Sequence, residues 1–106
     1  MNTQFKKGVL ELCVLSLLSQ KEYYGYELIS KISETIEITE GTIYPLLKRL
    51  KDDGYVSTKL VESTQGPSRK YYQLTERGKT YSKIRIDEWF VFIGHVNDLL
   101  GGENHD

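Results

Sequence analysis

Glu40-Gly41-Thr42-Ile43-Tyr44-Pro45-Leu46-Leu47-Lys48-Arg49-Leu50-Lys51-Asp52-Asp53-Gly54 decides how the rest of the chain is read. Ile43, Leu46, Leu47 and Leu50 recur at i, i+3, i+4 and i+7, the spacing of one helix face. Thr39, just upstream, suits the N-cap position, where its hydroxyl can accept an otherwise unpaired backbone N–H. Gly54, just downstream, can take the left-handed conformation that ends many helices. Pro45 removes a donor and crowds the carbonyl of Gly41, so any distortion stays at the helix start. Opposite the apolar stripe lie Gly41, Pro45, Lys48 and Asp52, with Thr42, Tyr44 and Arg49 on the flanks. This outer face is small and uncharged at its start and basic in its middle.

Outward from this helix, Tyr55–Glu62 and Arg69–Leu74 interleave β-type and polar residues around Ser63-Thr64-Gln65-Gly66-Pro67-Ser68. That reads as a β-hairpin with a loop longer than two residues. Upstream, Phe5–Ser19 is so densely apolar that a helix there should be buried on more than one side. A polar break at Gln20–Glu22 precedes Tyr24-Gly25-Tyr26 and a short helix to about Ser33, with Leu28, Ile29 and Ile32 inward. Ile36-Glu37-Ile38 fits a connector. Thr75 caps a last helix running to about Leu100. Three helices, a hairpin and a long helix make a winged helix-turn-helix: mainly α, with a two-stranded β-wing and a long C-terminal dimerisation helix. The expected division is 1–74 for the winged unit, 75–100 for the dimerisation helix and 101–106 for a frayed tail.

The net charge of −1 hides an uneven distribution. Residues 1–85 carry all 14 Lys and Arg with 10 acids, a surplus of +4, whereas residues 86–106 carry five acids and no Lys or Arg, or −5. A basic body with an acidic end is compatible with a nucleic-acid partner. The single Cys13 excludes an intrachain disulfide and a Cys-based metal site, and its apolar setting reads as core. No metal-ligand spacing, nucleophile–base set or phosphate-binding loop is present, so neither an enzyme nor a cofactor is expected. No apolar run reaches membrane-span length and no secretory signal is visible, which reads as a cytoplasmic chain with no membrane partner.

A recognition helix must put its first turns against base edges and its cations against phosphates. The outer face around Gly41, Thr42, Tyr44, Lys48 and Arg49 has that form, although a solvated amphipathic helix would share it. The hairpin adds Ser68, Arg69 and Lys70 beside Gly66 and Pro67, which let backbone approach a phosphate. Gly41-Thr42-Ile43-Tyr44-Pro45-Leu46-Leu47-Lys48-Arg49-Leu50, then Gly54-Tyr55-Val56, resembles the recognition helix and first wing strand of PadR-family regulators. Gly66-Pro67-Ser68-Arg69-Lys70-Tyr71-Tyr72-Gln73-Leu74-Thr75, then Gly78, resembles that family's wing and the start of its last helix. Tyr24-Gly25-Tyr26-Glu27-Leu28 matches the opening of its second helix. The resemblance covers about residues 5–80 and points to the compact members with one C-terminal helix.

This resemblance implies a cytoplasmic homodimeric repressor on a pseudo-palindromic double-stranded operator. It assigns DNA contacts to Thr42, Tyr44, Lys48, Arg49, Ser68, Arg69 and Lys70. Tyr24 and Tyr26 read as packing residues, and at least one of Tyr71 and Tyr72 should point inward by strand alternation. From Ile84 to Leu100, ten of 17 residues are strongly apolar and cover nearly all sides of a helix. Such a helix needs a second apolar surface, and a twofold partner supplies one. The expected interface is Leu10, Ile86, Trp89, Phe90, Ile93, Val96 and Leu100. Trp89 either packs that interface or stacks on an aromatic or amphipathic small-molecule effector. The rival reading is a winged-helix protein-interaction module without DNA binding.

Overall fold

The computed structural model describes residues 3–101. Helix α1 (Thr3–Gln20) leads to a two-residue strand β1 (Tyr23–Tyr24), then α2 (Gly25–Ser33) and α3 (Glu40–Asp52). Strands β2 (Val56–Ser63) and β3 (Gly66–Leu74) form the wing, and α4 (Glu76–Leu99) closes the chain. The tail expected beyond Gly101 lies outside the described residues.

The core sits where α1, α2 and α3 meet the base of the wing. Leu10, Val14, Leu15, Leu28, Ile43, Leu47 and Leu50 are fully buried there, joined by Val56, Tyr72 and Leu74 from the strands. Each such aliphatic side chain contributes about 1.5–3 kcal/mol by leaving water. Leu10, expected at a partner interface, is thus consumed by the chain's own core. Cys13 packs against the same cluster, and burial pushes its thiol pKa up. That favours the inert thiol over the reactive thiolate.

The sheet has three strands rather than two, in the order β1-β3-β2 and antiparallel throughout. Tyr23 pairs with Tyr72 and Tyr24 with Tyr71, so β3 is central. Two residues are too few for any periodicity to show, and β1 exists because β3 lies beside it. The hairpin loop is also tighter than expected. The strands pair as far as Ser63 and Gly66 after an irregularity between Val61 and Ser63, leaving only Thr64 and Gln65 at the turn.

Helix ends follow the sequence with one exception. Gly54 has φ +83°, as its place after α3 demands. At α4, the Thr75 hydroxyl accepts from the Gly78 N–H at 2.9 Å and donates to the Gly54 carbonyl at 2.7 Å. Thr39 has the extended backbone of an N-cap, but its hydroxyl lies 3.5 Å from that of Thr42 and caps no backbone N–H. The first turn of α4 presses so closely on the wing that a Cβ at Gly78 would collide with the Tyr55 carbonyl. Tyr55 and Tyr81 stack at 3.9 Å with 7° between planes, and the Ser82 hydroxyl donates to the Leu15 carbonyl at 3.4 Å. Past Ser82 the helix runs on with Arg85, Glu88, Trp89 and Phe92 beside α1, and the molecule measures 56 × 28 × 21 Å.

Candidate nucleic-acid interface

The rotation of α3 is set by its buried Ile43, Leu47 and Leu50. The opposite face is therefore presented to solvent, and Gly41, Tyr44, Pro45, Lys48 and Arg49 are all exposed, with Thr42 half-buried beside them. Lys48 pairs with Asp52 at 2.8 Å on the same face. That hydrogen bond and the carboxylate's charge raise the Lys48 pKa, so its ammonium stays charged. Arg49 turns one edge of its guanidinium toward the buried Glu11, with Nη2 3.4 Å from the carboxylate.

The wing brings its cations to the same side. Ser68, Arg69 and Lys70 are exposed, whereas Tyr72 and Leu74 further along β3 point into the core. The Arg69 guanidinium sits 4.6 Å above the Tyr24 ring, which meets Tyr71 edge-on at 5.5 Å. Lys70 makes no ion pair among the described residues. Tyr44 of α3, Arg69 and Lys70 of β3, and Tyr24, Gly25 and Tyr26 at the start of α2 line one cleft of about 300 Å³, with Tyr72 at its floor. Helix and wing thus converge on one concave, cation-bearing surface.

Gly25 permits that convergence. A Cβ there would lie 2.5 Å from Cε1 of Tyr44, inside van der Waals contact. The Tyr44 ring therefore rests on bare backbone at the start of α2. Tyr26, expected to pack, is 62% exposed and lines the cleft instead. Its position, two residues before Leu28, places it about 160° from that residue on a helical wheel but only about 60° from Ile29, so spacing alone does not turn it outward. Glu11 had no sequence signal either, because Arg49 and Tyr81 reach it only through the tertiary fold. Its Oε1 accepts from the Tyr81 hydroxyl at 2.8 Å. Burial first, then Glu11, raises the Tyr81 pKa and keeps this phenol a donor.

On α4, Phe90 and Leu100 are largely exposed at 68% and 66%, while Ile86, Trp89, Ile93 and Val96 are half-buried. Trp89, Phe92, Arg85 and Glu88 face Gly8, Val9 and Leu12 of α1 across a cavity of about 410 Å³. No group of His, Cys, Asp and Glu able to hold a metal occurs among the described residues. Nor is any described helix long and apolar enough to cross a membrane.

A helix-turn-helix whose second helix shares an exposed basic cleft with a β-wing defines a winged-helix DNA-binding regulator. The Transcriptional regulator PadR-like family model matches residues 14–84, and the chain belongs to that family of non-enzymatic, DNA-binding transcription regulators. The chain is similar to a PadR-like transcriptional regulator from Bacillus cereus, with 41% identity, TM-score 0.85, and coverage of 95% of this chain and 100% of that one. A Streptococcus transcriptional regulator shows 38% identity and TM-score 0.80 over 92% of this chain and 98% of its own. The Negative transcriptional regulator PadR of Bacillus subtilis (strain 168) is 29% identical over 87 residues, which are 78% of this chain and 46% of that protein.

Replacing Gly25 with Ala should push Tyr44 off its seat. DNA affinity in a fluorescence-anisotropy titration is expected to fall by about tenfold, a change of roughly 1.4 kcal/mol. The Gly25→Ala change should cost little further once Tyr44 is already Ala. Equal losses in both backgrounds would refute the seat.

Proposed function

We propose that the chain is a homodimeric, sequence-specific DNA-binding repressor of a pseudo-palindromic operator, released by a small aromatic or amphipathic effector. The observation that carries the DNA reading is the cleft that Tyr44 of α3 shares with Arg69 and Lys70 of the wing. One duplex can meet both elements at once. In this reading Thr42 and Tyr44 reach base edges, while Lys48, Arg49, Ser68, Arg69 and Lys70 bind phosphates and fix the register. The clustering of exposed Arg69 and Lys70 beside α3 favours this reading over a protein-interaction module without DNA binding. Repression is supported by the name of the Bacillus subtilis relative.

In this reading the winged unit runs as far as residue 74, and residues 75–100 form the dimerisation helix. Its interface is Ile86, Trp89, Phe90, Ile93, Val96 and Leu100. Exposed Phe90, Val91, Phe92 and Leu99 leave apolar surface in water that a second α4 would cover in part. A twofold dimer would present two α3 helices to successive major grooves, about 34–36 Å apart. The effector would enter the cavity between α1 and α4 and stack on Trp89.

Three measurements test this reading. A dimer neutralising roughly 6–10 phosphates should lose about 10³–10⁵ in affinity between 50 and 200 mM salt. Lys70→Ala should weaken binding to all duplexes and flatten the salt slope by about 1 per site; an unchanged slope would remove Lys70 from the interface. Phe90→Asp should give a folded monomer in sedimentation at micromolar concentration, and a wild-type monomer there would refute dimerisation through α4. Trp89 fluorescence should quench on titration with planar cationic dyes or phenolic acids, and silence across the panel would discard the effector.

A further inference from the structure

Glu11 is the buried charged residue of the described core, only 7% exposed on a helix otherwise given to aliphatic packing. A carboxylate in such a place costs several kcal/mol unless it is paired and hydrogen-bonded. Two elements far apart in sequence supply the partners. Tyr81 of α4 donates to Oε1 at 2.8 Å, and Arg49 of α3 faces Oε2 at 3.4 Å. Tyr81 is itself held by stacking on Tyr55, whose backbone N–H is bonded to the Leu50 carbonyl at 2.9 Å. The carboxylate is therefore held from α4 and presents a fixed negative charge to Arg49 of α3.

Arg49 stands at the edge of the DNA-facing surface with 53% of its side chain exposed. A guanidinium carries five donors in a planar fork. With one edge on Glu11, the other is free toward solvent. A free arginine loses up to about 2 kcal/mol of rotamer entropy on binding, and a clamped one has already lost most of it. Lys48, by contrast, pairs with an Asp52 that is itself 61% exposed, so its partner is not buried as Glu11 is.

We propose that Glu11 is a positioning residue for DNA recognition: it clamps Arg49 so that its outward edge meets a backbone phosphate in one register of α3 only. The proposal rests on the sequence-specific DNA reading above. Phosphate contacts carry no base information themselves, but they fix the register in which base edges are read. Loosening Arg49 thus admits shifted dockings and lowers discrimination. Removing the Glu11 charge also strengthens attraction to every duplex alike, so the informative quantity is a ratio of affinities.

The test uses the full-length chain and a duplex selected from a random pool, against a scrambled duplex of the same length and composition. Glu11→Gln is expected to reduce the selected-to-scrambled affinity ratio by about fivefold to tenfold, within the range of one mismatched base pair. Arg49→Gln should reduce it similarly, and the double variant should show no further loss. Tyr81→Phe leaves every charge in place but cannot donate to Glu11, and should lower the ratio about twofold to threefold. It also serves if Glu11→Gln unfolds, since Tyr81→Phe combined with Arg49→Gln should again match Arg49→Gln alone. An unchanged ratio in Glu11→Gln overturns the clamp, as does a loss that persists in full in the Arg49→Gln background. A wild-type chain that binds both duplexes equally overturns the sequence-specific reading itself, and the clamp with it.

Discussion

Burial of one face of α3 governs the arrangement of the whole exposed, cation-bearing surface. Ile43, Leu47 and Leu50 have no exposed area, and a helix pinned at three points over two turns cannot rotate about its axis. Opening a cavity at such a site costs about 2–5 kcal/mol, far more than any outer-face contact would return. Tyr44, Lys48 and Arg49 are therefore held outward by what lies beneath them. The core thus aims these outward groups as a set, and contacts on the outer face orient individual side chains.

The wing is placed by a second set of contacts. An isolated two-stranded hairpin is only marginally stable in water. Here β3 gains a third strand through Tyr23 and Tyr24, and Tyr72 and Leu74 anchor its base in the core. Arg69 then lies over Tyr24, which precedes α2 directly. The beginning of α2 is thus the common neighbour of wing and α3, and the bare backbone of Gly25 lets the Tyr44 ring close the gap. Close packing at this junction sets the spacing between helix and wing.

Helix α4 divides into two parts with different physics. Its first two turns are locked to the winged unit by the Thr75 cap, the Gly78 approach, the Tyr55–Tyr81 stack and Ser82. The remainder exposes Phe90, Val91, Phe92 and Leu99, and only the half-buried Trp89 side meets α1 across the cavity. Glu11 and Tyr81 lie at the boundary.

Order and type of the major elements were legible from residues alone, because helical and strand periodicities are local and repeat over several turns. The i, i+3, i+4, i+7 stripe of α3, the Gly54 stop, the Thr75 cap and the exposure of Tyr44, Lys48, Arg69 and Lys70 all follow from neighbours in the chain. The family's motifs added their likeness to that pattern. Strand β1, the two-residue turn at Thr64–Gln65, the inward fate of Leu10, the outward one of Tyr26 and the Glu11–Arg49–Tyr81 cluster were decided only by the tertiary structure. Each depends on a partner distant in sequence, and short-range spacing carries no information about which distant surface a side chain will meet. The sequence by itself determined which helix could face DNA; packing decided which side chains stand beside it, because close contact in a dense core is a property of three-dimensional fit.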